Sequence, residues 1–101
     1  MSQVDDGRKA AMIFAGVRWE MKSESLDDPL RDKRRWLYDG HFTIGYVTPI
    51  KGRIAPSGHP VWLARKWVSG QGWRDIGECP NIEIAMQAVE KYWALDYKGG
   101  L

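Results

Sequence analysis

Apolar and polar residues alternate with period two along much of this chain, and only its last quarter carries a clear helical period. From Ile13 to Met21 every second residue is apolar: Ile13, Ala15, Val17, Trp19 and Met21. Phe14, Gly16, Arg18 and Glu20 lie between them. Successive side chains of a strand point to opposite faces, so this pattern predicts a half-buried strand. A helix over residues 6–15, capped by Asp5 or Asp6, competes for the same stretch. A strand is favoured for 16–22, and residues 6–22 stay open between the two. In SESLDDPLRDKRRWLYDG, Asp28-Pro29 has the form of a helix start, with proline at the first helical position. Leu30, Arg34 and Leu37 then share a face, and Gly40 ends the segment. The pattern favours a short helix ending near residue 38. The alternative is a strand over 36–38 that turns at Asp39-Gly40, a strong hairpin dipeptide.

After residue 40 strands dominate. Phe42, Ile44 and Tyr46 alternate with Thr43, Gly45 and Val47. TPIKGRIAPSGHP, with three prolines and two glycines, predicts a long connection. VWLARKWV is a second strand, Ser69-Gly70-Gln71-Gly72 a turn, and WRDIGEC a third strand. Pro80 stops that strand. Asn81 then caps a helix from about Ile82 to Tyr97, whose Ile82, Ala85, Met86, Val89, Trp93 and Tyr97 form one apolar stripe. The predicted fold is α+β: a small antiparallel sheet of three to four strands, a C-terminal helix packed on one face, and a short helix before the sheet. The helix covers one sheet face and leaves the other open.

Composition narrows the class. The chain has 101 residues, one domain's worth over 1–101, with residues 1–12 expected to be flexible. A single cysteine, Cys79, excludes an intramolecular disulfide. No Cys-x-x-Cys or His-x-x-x-His spacing suggests a metal, and no motif suggests a cofactor. The N-terminus lacks a signal-peptide pattern, and no run is long and apolar enough for a membrane span. A cytoplasmic protein is expected. Tryptophan is abundant, six in 101 residues. A small core would hardly hold six such rings, so one or two are expected at least partly exposed.

The charge is uneven. Residues 1–40 hold eight acids and eight bases, a net of zero. Residues 41–74 hold Lys51, Arg53, Arg65, Lys66 and Arg74 and no acid, a net of +5. Residues 75–101 hold five acids and two bases, a net of −3. The acid-free stretch also contains Trp62, Trp67 and Trp73 and both histidines, His41 and His59. In the strand over 61–68, Val61, Leu63, Arg65 and Trp67 share one face, and Trp62, Ala64, Lys66 and Val68 the other. Either register sets a tryptophan and a cation on the outer face. Such a surface suits nucleic acid, because cations neutralise phosphates and rings stack on exposed bases. Lys51, Arg53 and His59 in the connection would add backbone contacts. Against this, strands disfavour acids whatever their function, so the run also fits a plain solvated face. A pI near 8.8 is only mildly basic. Arg31, Lys33, Arg34 and Arg35 form a secondary basic patch, and Asp27, Asp28, Asp32 and Asp39 flank and offset it.

Catalytic chemistry finds little support. Cys79 lies between Glu78 and Pro80, and a neighbouring carboxylate suppresses a thiolate. Neither histidine is placed beside a nucleophile by any recognisable spacing. Gly70-Gln71-Gly72 leads into a strand, not the helix that a phosphate loop needs. The chain is therefore expected to be a non-catalytic binding module. Its partner is nucleic acid or an acidic protein surface, engaged as monomer or homodimer. The alternative is a small inhibitor or adaptor of the phage or mobile-element type that docks on a host protein complex, such as a nuclease or defence complex, through exposed tryptophans. A third option is self-association through a free sheet edge.

Residues 73–93, WRDIGECPNIEIAMQAVEKYW, carry an outline that resembles the end of small three-strand-plus-helix DNA-binding modules of the AP2 and integrase arm-binding type. The double-stranded-RNA-binding fold has a similar strand-strand-strand-helix order. Glu83 and Glu90 depart from the basic helix of that RNA-binding fold. The likeness implies a DNA- or RNA-binding sheet and assigns no family.

Overall fold

A computed structural model describes residues 16–21 and 34–97 of the chain. Five strands follow one another: β1 (Val17–Glu20), β2 (Arg35–Asp39), β3 (Phe42–Ile54), β4 (Pro60–Val68) and β5 (Gly72–Cys79). A helix, α1 (Ile82–Tyr92), comes next and widens into a π-helical turn over Trp93–Tyr97. The strands pair in sequence order, every pair antiparallel, into one open meander. The fold is thus α+β with a C-terminal helix, as the pattern predicts.

Three expectations need correction. The sheet has five strands rather than three to four. Residues 35–39 form a strand instead of the end of a short helix. The hairpin signal wins there, because Gly40 supplies a positive φ of 62° between Asp39 and its partner Phe42. The rest of that expected helix, the choice between helix and strand for residues 6–15, the flexibility expected of 1–12, and Arg31 and Lys33 of the secondary patch all lie outside the described residues. The long connection after residue 47 is also mostly strand, since β3 continues to Ile54. Pro49 pairs with Trp62 inside the sheet, and the register then shifts before Ile54 pairs with Pro60. Shifts of this kind are where a strand tolerates proline and glycine. Only 55–59 remain as a turn, closed by the Ala55 N–H donating to the His59 carbonyl at 2.8 Å.

The strand expected at 16–22 appears as β1. Asn81 caps α1, its side-chain oxygen accepting from the Ile84 N–H at 2.9 Å. The predicted stripe is the buried one: Ala85, Val89 and Trp93 are fully enclosed, with Ile82 and Met86 packed beside them. The helix lies across β3, β4 and β5. Beneath it are Val47, Trp62, Ala64 and Cys79, joined by Leu37 of β2 and Val17 of β1. Gly45 allows the approach. A Cβ there would lie 2.8 Å from Val89 Cγ1 and would also strike the Arg65 carbonyl oxygen.

Two register shifts adjust the sheet faces. Leu37 pairs with Gly45 but Tyr38 with Thr43, so Ile44 is an extra residue. Ala64 pairs with Gly77 but Arg65 with Asp75, so Ile76 is extra. Ile44 is fully buried and Ile76 packs against the core. The strand alternation that runs through Phe42, Ile44 and Tyr46 is therefore broken at the bulge, which lets Ile44 enter the core while Tyr46 remains only half-buried.

Candidate functional site

The register of β4 decides which residues share the face away from the helix. Trp62 and Ala64 are buried in the core, so Leu63, Arg65 and Trp67 point the other way. Trp67 pairs across the hairpin with Trp73, and Arg65 with Tyr46 on one side and Asp75 on the other. Trp36 of β2 pairs with Tyr46. The far face thus carries a row of rings. Trp36 and Tyr46 lie 4.5 Å apart, Tyr46 and Trp73 4.8 Å, and Trp73 and Trp67 5.3 Å between centroids, the last two edge to face. Edge-to-face packing suits the ring quadrupoles. Arg65 lies 5.9 Å from the Tyr46 centroid and Arg34 5.5 Å from it.

Two of the five cations in the acid-free stretch are held by acids. Arg65 donates to Asp75 at 2.8 Å and to the Tyr46 hydroxyl at 3.0 Å. These contacts, the Tyr46 hydrogen bond foremost, raise its pKa despite an opposing desolvation. Arg53 pairs with Glu78. Asp75 and Glu78 of β5 therefore neutralise one cation of β4, Arg65, and one of β3, Arg53. Arg18 of β1 likewise pairs with Glu20 at 2.6 Å. Lys51 is exposed. Arg34 and Arg35, the described half of the secondary patch, are half-buried, with Arg34 donating to Thr48 Oγ1 at 3.4 Å.

Lys66 and Arg74 are different. They sit directly opposite each other on β4 and β5. Neither has a carboxylate partner among the described residues. The Lys66 ammonium lies 5.0 Å from the Tyr92 ring centroid, and Arg74 donates to the Trp73 carbonyl at 3.0 Å. Like charges facing each other across a ladder disfavour folding, so this pair is poised to accept an anion.

Beside that pair, a cleft of about 720 Å³ opens at the end of the sheet. His41, Phe42 and Thr43 line it from the β2–β3 hairpin, Trp67, Ser69 and Trp73 from the β4–β5 hairpin, and Tyr92 and Asp96 from the helix and its final turn. The Tyr92 hydroxyl donates to the Trp67 carbonyl at 2.7 Å and ties the helix to this rim. Phe42 is 70% exposed and Trp67 41%. Both are large apolar surfaces left to solvent at one opening.

Of the residues that the sequence singles out, the structure sets Trp67 in the cleft wall and places Lys66 and Arg74 against two other lining residues, Tyr92 and Trp73. It places Arg65 behind them in an ion pair, and Lys51 and Arg53 on the distant half of β3. Trp62 lies under the helix. Phe42, Trp73, Tyr92 and Asp96 escape the sequence reading. A signal existed for Trp73, because it mirrors Trp67 across the Ser69–Gly72 turn. None existed for Tyr92 and Asp96, which arrive only through helix packing.

Cys79 is buried beneath the helix, and burial pushes its thiol pKa up. Among the described residues no group of His, Cys, Asp and Glu side chains is arranged to hold a metal ion. Among the same residues no helix is long and apolar enough to cross a membrane. Comparison with protein-family models, with curated proteins and with solved structures finds no match to this chain.

Proposed function

We propose that this protein is a non-catalytic, cytoplasmic binding module that takes single-stranded nucleic acid at the aromatic cleft. The observation that carries this reading is the cross-strand pair Lys66 and Arg74, two cations without an acid partner among the described residues, in contact with the lining residues Tyr92 and Trp73 of a ring-lined opening. Phosphates lie against that pair, and bases stack on the accessible rings of Trp67 and Phe42. Each stacked base contributes about 1–3 kcal/mol. This places the contacts at the end of the sheet rather than over its whole far face, where Arg53 and Arg65 are already engaged by acids.

The test is a titration followed by intrinsic tryptophan fluorescence, with short single-stranded oligonucleotides over a range of salt. Quenching weakens as salt rises. In a Lys66→Glu, Arg74→Glu double variant the slope of log affinity against log salt becomes shallower by about 1.4, the value for two single-strand phosphate contacts. No quenching at low salt rejects the proposal.

A second reading has its own support in the exposure of Phe42 and Trp67 on one rim. Two adjacent exposed rings are also what a protein-docking hot spot presents. In that case the chain is a small inhibitor or adaptor. Its affinity for the protein partner falls with Trp67→Ala and is indifferent to charge reversal at Lys66 and Arg74.

A further inference from the structure

We propose that the cleft holds one unstacked guanine of the bound strand, with Asp96 accepting hydrogen bonds from its Watson–Crick edge. The inference rests on the nucleic-acid reading above and assigns that site its base. Asp96 is an exposed carboxylate on the cleft wall, in the turn that follows α1. No hydrogen bond or ion pair engages it among the described residues. A carboxylate repels phosphate, so in a nucleic-acid site it belongs against a base and not the backbone.

The surroundings of the cleft carry both signs of charge. Lys66 lies against Tyr92 and Arg74 against Trp73, both lining residues, and Asp96 stands in the lining itself. An aromatic site with one carboxylate would also attract an organic cation. Two uncompensated cations at the same opening oppose that ligand. A nucleotide complements both signs, with its phosphate toward the lysine and arginine and its hydrogen-bond donors toward the aspartate. The volume, about 720 Å³, is of the size that encloses a small ligand.

The choice among bases follows from donor geometry. An ionised carboxylate only accepts hydrogen bonds and offers two oxygens side by side. Guanine presents two adjacent donors, the N1–H and the exocyclic amine, that match both oxygens. In adenine and cytosine the amine adjoins a ring nitrogen whose lone pair faces the second oxygen. In thymine and uracil a single N–H stands between two carbonyl oxygens. Unstacked bases bound by proteins are commonly read along this edge.

The experiment uses short thymidine oligomers that carry one central guanine, cytosine or adenine, or no replacement. Each is titrated at one low salt concentration against the full chain and against Asp96→Ala, an exposed position whose change leaves the core intact. The guanine oligomer is expected to bind about tenfold more tightly than the other three, the discrimination of a good bidentate contact. Asp96→Ala brings the guanine oligomer to within about twofold of the all-thymidine oligomer, both measured on that variant. Equal binding of all four oligomers overturns the guanine assignment and leaves the nucleic-acid reading standing. A guanine preference that persists in Asp96→Ala overturns the role given to Asp96. Failure of every oligomer to bind overturns both readings together.

Discussion

On the helix side of the sheet, Val47, Ala64 and Gly45 lie beneath Ala85, Val89 and Trp93, and all six are buried. On the far side, Trp36, Tyr46, Trp73 and Trp67 cover the strands with their own rings, and ion pairs flank them. The first face is closed by another element, and its small residues Gly45 and Ala64 allow a helix to come close. The second uses flat side chains that shield one another and keep some surface in solvent. The cleft forms where the two meet, at the sheet end that carries both hairpin turns. There the rings of the far face meet Tyr92 and the uncompensated cations of the helix side.

The difference between the faces is open to direct attack, starting with the largest effect. Trp93→Ala empties a fully enclosed ring site and is expected to destabilise the fold by about 3–5 kcal/mol in urea unfolding. Trp67→Ala, the same change on the exposed rim, is expected to alter stability by about 1 kcal/mol, roughly the worth of its edge contact with Trp73. Similar losses at both positions would show that the far face is as much a core as the helix side.

Gly45→Ala tests the closeness of the helix. The new methyl meets Val89 and the Arg65 carbonyl, both on packed elements, and an overpacking loss of about 1–3 kcal/mol is expected. An unchanged unfolding midpoint would mean that α1 yields without penalty at this contact. Asp75→Asn acts on the other face. It releases Arg65 from its ion pair, and the salt dependence of oligonucleotide binding should steepen by about 0.7, one further phosphate contact. An unchanged slope would confine phosphates to the cleft.

The smallest effect is at Cys79. Its raised pKa means that the folded state favours the neutral thiol. The stability due to this group is fully present below the ordinary thiol value, about 8.5, and is lost as pH rises through the raised one. The stability advantage of the parent protein over Cys79→Ala should therefore shrink in alkaline solution. A pH-independent difference between the two would remove the burial argument.

The elements were legible in the sequence to different degrees. The helical stripe from Ile82 to Trp93 and its Asn81 cap could be read from residue spacing, because a helix satisfies its own backbone and its pattern is local. The β4–β5 hairpin was equally plain, with alternation on both sides of a glycine turn. The strand at 35–39 was legible only as the alternative to a short helix, through the hairpin signal of Asp39-Gly40. Pro29 and the charged run that follows suit a helix, and pairing with β1 and β3 overrode them. The extent of β3 was not legible, since prolines and glycines that normally mark loops are absorbed here by register shifts.

For the candidate site, the sequence by itself determined which chemical groups were at hand: a run of strands with rings and cations and no acids, followed by an acidic strand and helix. Tertiary structure decided how those groups are spent. Cross-strand register set Asp75 against Arg65, brought Glu78 to Arg53, and left Lys66 facing Arg74. Helix packing then carried Tyr92 and Asp96 to the same opening. The physical reason is range. Alternation and spacing are fixed by neighbours a few residues apart along the chain. Whether a charge is neutralised depends on residues that only folding brings within a few ångströms.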